Sequence, residues 1–126
     1  MISCTNSIYK IKNYDYRLWL SKNNLILDSI ALFKEGHLRY RLTKNTLYYT
    51  DGITIPGRLN LYMYKIKIET DTFSIPQKKE LINLSMDHWI VKKLHITNEN
   101  VFIKTKEIEK NITKIEKISL DSLFKE

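Results

Sequence analysis

Apolar residues recur at every second position over most of this chain, the period of strands with one buried face. In "HLRYRL", Leu38, Tyr40 and Leu42 alternate with His37, Arg39 and Arg41. In "NLYMYKIKIETDTFSI", Tyr62, Tyr64, Ile66 and Ile68 share one face, and Lys65, Lys67 and Glu69 the other. The pattern predicts Leu38, Tyr40, Ile66, Ile68, Leu84 and Trp89 as buried. It predicts Arg39, Arg41, Lys65 and Lys67 as exposed.

Turn residues punctuate these runs. Asp51-Gly52 reads as a tight hairpin, because Gly accepts a positive φ. Pro56-Gly57 fits the central pair of a type II turn. A three-residue loop, Lys34-Glu35-Gly36, places Leu32 opposite Leu38 and Ile30 opposite Tyr40, whereas a two-residue loop would set Leu32 against Arg39. A turn at Thr70-Asp71 pairs Ile68 with Phe73 and Ile66 with Ile75. Pro76, which has no ladder donor, ends that strand. A turn at Met86-Asp87 pairs Leu84 with Trp89 and Ile82 with Val91. The next hairpin, with its tip at Asn98-Glu99, pairs Ile96 with Val101 and Leu94 with Ile103. Trp89 and Val91 are odd-numbered while Leu94 and Ile96 are even. Either a bulge near Lys92-Lys93 or two separate strands reconciles the faces.

The two ends read less simply. "SIYKIKNYDYRLWL" is a strand with Tyr16, Leu18 and Leu20 alternating against Arg17 and Trp19, or it holds a short helix. Across residues 106–124, Ile108, Ile112, Ile115 and Ile118 fall at helical spacing, yet Asn111 and Thr113 are poor helix formers. Helix and final strand both stay open there. Successive hairpins in 126 residues imply one all-β domain over 1–126. The expected architecture is an antiparallel meander of about 7–10 strands that must protect its edges. It closes as a small barrel or folds into a two-sheet sandwich, with room for one short terminal helix. Residues 1–7 read as an N-terminal tether.

Charge adds a partner question. The formal net charge is +7, spread with no Lys/Arg block longer than two. A basic excess points to an anionic partner when it is clustered, and to solubility when it is dispersed. The single cysteine rules out an intrachain disulfide and a multi-thiolate metal site. No apolar run approaches the roughly 20 residues needed to span a bilayer, and no complete signal peptide is present. "Ile2-Ser3-Cys4" fits the cleavage junction at which a bacterial lipoprotein receives lipid on cysteine, which makes Cys4 a lipid-anchor candidate.

Three phrases together resemble small bacterial lipocalin-like envelope proteins: "DSIALFKEGHLRYRL", "YKIKIETDTFSI" and "ELINLSMDHWIVKKL". The similarity is a rhythm of strands and turns from roughly Leu27 to Ile103. It implies an up-and-down β-barrel and an N-terminal lipid anchor. The Gly-x-Trp of ligand-carrying lipocalins has no counterpart, since Trp19 stands in "YRLWLS" without a neighbouring Gly.

Catalytic chemistry finds little footing. His37, His88 and His95 lack ligand spacing, no Gly-x-Ser-x-Gly elbow occurs, and three glycines in apparent turns cannot form a phosphate cradle. No enzyme activity, cofactor or metal is expected. If a barrel closes, Tyr40, Tyr62, Tyr64 and Trp89 line it and offer a small apolar ligand both rings and polar tips. Arg39, Arg41, Lys65 and Lys67 form a cationic sheet face. Tyr40, Tyr62 and Tyr64 fall on the opposite face, which argues against a stacking platform for nucleic acid.

The first expectation is therefore a non-enzymatic lipocalin-like binding or scaffold module of a bacterial cell envelope. It reaches the membrane only through lipid on Cys4. The alternative is a cytoplasmic, soluble protein of inhibitor or immunity type that sets its cationic face against an acidic protein surface. A nucleic-acid-binding β module ranks third.

Overall fold

The computed structural model describes residues 7–32 and 38–125. It is all-β apart from one short helix and comprises three antiparallel sheets. The first sheet holds β1 (Lys10–Tyr14), β2 (Arg17–Lys22) and β3 (Leu25–Ala31) in sequence order. The central sheet runs β4 (Tyr40–Thr43), β5 (Thr46–Ile55) and β6 (Arg58–Glu69). The far edge of β6 is shared by β7 (Thr72–Phe73) and β8 (Gln77–Ser85). The third sheet holds β9 (Trp89–Ile96), β10 (Asn100–Glu107) and β11 (Ile112–Ser119). The helix α1 (Leu120–Leu123) follows at once, with Ser119 as its N-cap.

Four of the local reversals show their turn chemistry directly. Asp15-Tyr16, Asn23-Asn24 and Thr70-Asp71 each place two successive residues at positive φ, the backbone that matches the twist of a two-residue hairpin. Gly57, at φ 78°, takes the left-handed site of the Pro56-Gly57 turn between β5 and β6.

The core follows from β6, the longest strand. Leu59, Leu61 and Met63 point to one face and join Tyr48, Leu94, Ile96, Val101, Ile103, Leu120 and Phe124. Tyr64 and Ile66 point to the other face and join Leu18, Leu32, Leu38, Leu47 and Tyr49. Ile68 continues that face against Tyr9 and Leu20. The central sheet therefore carries the third sheet on one face near the start of β6. It carries the first sheet on the opposite face near the end of β6. Among the described residues the strands form this staggered sandwich and do not close into a barrel.

Several registers match the sequence pattern. Ile68 pairs with Phe73, Ile96 with Val101, and Leu94 with Ile103. The face conflict in β9 is resolved by a bulge: Lys104 pairs with Lys93 and Thr105 with Val91, so Lys92 is the extra residue.

Other expectations are corrected. Asp51-Gly52 is no hairpin; it lies inside β5, with Asp51 opposite Tyr62 and only 2% exposed. Reversal waits for Pro56-Gly57, where Pro presets φ and Gly supplies the left-handed residue. Ile30 pairs with Leu18, and Tyr40 with Tyr49, so β3 and β4 belong to different sheets. Leu32 and Leu38 still meet, but in the core rather than across a ladder. The Lys34-Glu35-Gly36 loop lies outside the described residues. Leu84 pairs with Leu59, and Trp89 with Glu107; the chain changes sheets at residues 86–88 instead of folding back. β7 ends at Phe73, leaving Ile75 91% exposed. "SIYKIKNYDYRLWL" holds two strands, not one, and Tyr16 is exposed at their turn. Residues 112–119 form a strand, so the helical spacing of the isoleucines is not realised there.

Candidate functional site

Arg39, Arg41, Lys65 and Lys67 do lie toward one side of the central sheet, as the row Arg41–Tyr48–Lys65 across β4, β5 and β6 shows. That side is the one the third sheet packs on, and it engages the cations. Arg39 Nε donates to the Leu94 carbonyl at 3.1 Å, and its Nη1 to the Leu38 carbonyl at 2.7 Å. Arg41 Nε donates to Asn98 Oδ1 at 2.7 Å. Lys65 is half-buried, about 6 Å from the ring centres of Tyr48 and Phe124. The two arginines thus clamp the β9–β10 hairpin to the central sheet. Lys67 is exposed beside a small hollow lined also by Ser74 and Gln77.

The proposed lining set does not converge. Tyr40 is 41% exposed at the sheet margin. Trp89 sits half-buried on β9, in a different sheet from the tyrosines. Tyr64 is buried and stacks on Tyr49, with ring centres 4.7 Å apart and planes 8° apart. Tyr62 is half-buried beneath Lys78, whose Nζ stands 4.1 Å from the ring centre. Burial first, then the nearby Asp51 charge, pushes the Tyr64 hydroxyl up to about 12. Burial also raises Tyr49, ahead of its neighbours Tyr64 and Asp51. The Tyr64 hydroxyl and Asn60 Oδ1 are buried without a hydrogen-bond partner. This is a packed, partly polar core.

Cys4 and His37 lie outside the described residues. Among the described residues no group of His, Cys, Asp or Glu converges as a metal site, and no helix is long and apolar enough to cross a membrane.

A further ionic contact joins sheets. Asp71, at the β6–β7 turn, accepts from the Tyr9 hydroxyl at 2.7 Å and from Lys22 Nζ at 2.9 Å. Hydrogen bonds from Tyr9 and Lys22 hold the Asp71 carboxyl below its ordinary range, and the same bonds raise Lys22 and Tyr9.

Two other surfaces gather cations and rings together. On β2, Leu18 and Leu20 point inward with no exposure, so alternation turns Arg17, Trp19 and Ser21 outward. Their ladder partners on β1 are Tyr14, Lys12 and Lys10. Tyr14 and Trp19 stack with centres 5.0 Å apart and planes 9° apart, and Trp19 Nε1 donates to the Tyr14 carbonyl at 3.1 Å. The Arg17 guanidinium stands 5.9 Å from the Trp19 ring centre and donates to Ser29 Oγ at 2.9 Å. A hollow of about 270 Å³ opens here, bounded by Lys10, Lys12, Tyr14, Trp19, Ser21, Asn24 and Ile26. None of these outward residues is acidic. Asp15 stands beside this face in the β1–β2 turn, while Asp28 on β3 pairs with Leu20 on the inner face and accepts from the Phe73 amide at 2.8 Å.

The outer face of β9–β11 is built alike. Leu94, Ile96, Val101 and Ile103 point inward, which turns Lys93, His95, Phe102, Lys104, Ile115 and Lys117 outward. A hollow of about 410 Å³ lies over Lys93, His95, Phe102, Lys104 and Ile115.

Sequence reasoning missed both surfaces. For the first the signal was present: in "KIKNY" and "RLWLS", Ile11, Leu18 and Leu20 alternate with Lys10, Lys12, Tyr14, Arg17 and Trp19 on the other face. Reading one strand in place of two hid the fact that Lys12 and Trp19 are cross-strand neighbours.

No protein-family model matches the chain, no curated protein is detectably similar to it, and no solved structure matches its fold. The lipocalin-like resemblance rests on strand rhythm alone.

Proposed function

We propose that the protein is a non-enzymatic β-sandwich binding module that takes an anionic partner on the outer face of β1–β3. One observation carries this reading: Lys10, Lys12 and Arg17 share that face with the stacked Tyr14–Trp19 pair, and the carboxylate beside them, Asp15, stands in the β1–β2 turn and not on the ladder face. Three cations set against one turn carboxylate create a positive local field, which raises the encounter rate with anions. Arg17 is held by Ser29, so less of its freedom is lost on binding. Of the four cations expected to do this, Arg39 and Arg41 bond the β9–β10 hairpin, Lys65 is half-buried and Lys67 alone stays exposed beside a small hollow.

The test is binding of fluorescent polyglutamate followed by anisotropy. Affinity falls as salt rises, because screening weakens exposed charge pairs. Lys12→Glu with Arg17→Glu lowers it by about tenfold or more. Unchanged binding by that double variant refutes this placement of the site.

A second reading has its own observation, the larger hollow over Lys93 and Lys104 on β9–β11, with Lys117 across the ladder from its Phe102. There, Lys104→Glu with Lys117→Glu is the variant that abolishes binding. A lipid tether at Cys4 adds an envelope location to either surface. Intact mass of the protein from its native cells, by fraction, decides that point.

A further inference from the structure

We infer that the anion taken by the β1–β3 face is a single-stranded nucleic acid, an inference that rests on the binding reading above. Charge alone would suit any polyanion. The aromatic pair narrows the choice. Tyr14 is 45% exposed and stacks on Trp19, so part of the ring pair stays open to solvent. A nucleobase added there continues the stack, and stacking platforms on sheets serve single strands because every base has a π-face.

The surrounding groups fit a sugar-phosphate chain. Lys10 and Lys12 are two residues apart on one strand, or about 7 Å, close to the separation of successive phosphates in an extended single strand. Arg17 lies across the ladder from Tyr14, so cations flank the ring pair from both strands. Ser21 and Asn24 border the same hollow and offer hydroxyl and amide groups to base edges. The face is a three-stranded sheet whose rings lie within the surface. Duplex readout instead uses a helix or ribbon that enters a groove, so paired DNA is the poorer fit. An acidic peptide would use the cations and leave the ring pair without a role.

The test uses the full chain carrying Trp89→Phe, so that Trp19 is the sole indole. Oligothymidine and oligouridine of about ten nucleotides, within the range of known single-strand sites, are titrated while Trp19 fluorescence is read. Quenching by either oligonucleotide is expected. The stronger of the two identifies DNA or RNA as the source. If three phosphates are neutralised, log affinity falls with log salt at a slope of about −2. Tyr14→Leu weakens oligonucleotide binding by about tenfold or more, Tyr14→Phe retains it, and polyglutamate binding stays within about twofold in both. Thermal melts check that each variant folds.

Polyglutamate binding without oligonucleotide binding overturns this inference and leaves the anion-binding reading standing. The same holds if anionic phosphatidylserine vesicles bind and oligonucleotides do not. Duplex bound as tightly as single strand, or binding indifferent to Tyr14→Leu, also overturns it. If no anionic probe binds, both readings fall.

Discussion

Met63 and Tyr64 are neighbours on β6, yet they pack into different cores. Met63 is fully buried among Leu94, Ile96, Val101 and Ile103 from the third sheet, while Tyr64 is buried with Leu18 and Leu38 on the other side. The pleat of a single strand thus holds the two outer sheets to the central one. The two cationic faces are the sides of those outer sheets that the cores leave uncovered.

Met63→Ala and Ile66→Ala each remove a fully buried side chain from one of these cores. Each is expected to cost about 2–5 kcal/mol. Because one strand serves both cores, the protein unfolds as one unit. Trp89→Phe leaves Trp19 to report on the first sheet, and Trp19→Phe leaves Trp89 to report on the third. Urea midpoints from each indole and from far-UV circular dichroism coincide within each variant. Separated midpoints would mean that the two cores melt independently.

Tyr64 carries a buried hydroxyl without a hydrogen-bond partner. Removing an unsatisfied polar group leaves no lost bond to offset its desolvation. Tyr64→Phe is therefore expected to be neutral or to stabilise by up to about 1 kcal/mol. Urea unfolding measures it, and a loss larger than that range would show that the hydroxyl is bonded in solution.

Asp71 ties the β6–β7 turn to Tyr9 and Lys22, and those hydrogen bonds depress its carboxyl below the ordinary value of 3.8. A group lowered by folding contributes stability above its unfolded value and loses it as pH falls through the folded one. Lys22 and Tyr9 are raised, by their bonds to Asp71, above ordinary values of 10.5 and 10.0. Their contribution is present below those values and lost as pH rises through the raised ones. Asp71→Asn lowers Tm modestly near neutral pH, since the contact is exposed and solvent-screened. The Tm gap closes below the ordinary carboxylate value. A gap that stays constant well into acid would show that the charge has no part in the contact.

What the sequence made legible was local. Ile68 opposite Phe73 and Leu94 opposite Ile103 follow from short turns, where loop length sets the register. Two burial parities meeting in β9 required the bulge at Lys92. The sheet changes were hidden because they are not local. Nothing in "LSMDHW" distinguishes a hairpin from a crossing between sheets, and there Leu84 and Trp89 part company. Asp51-Gly52 has turn composition, but the ten-residue strand β5 runs through it and pairs Asp51 with Tyr62. Arg39 and Arg41 were correctly placed opposite the apolar residues. Their bonds to Leu94 and Asn98 depend on a sheet that lies more than fifty residues further along the chain.

The most direct test of the binding face is an amide chemical-shift titration of the isotope-labelled protein with polyglutamate and with oligothymidine. Shifts are expected to centre on Lys10, Lys12, Tyr14, Arg17, Trp19 and Ser21, with little change at Lys93, Phe102, Lys104 and Lys117. Shifts centred on the second group, or no saturable shifts with either anion, would contradict it.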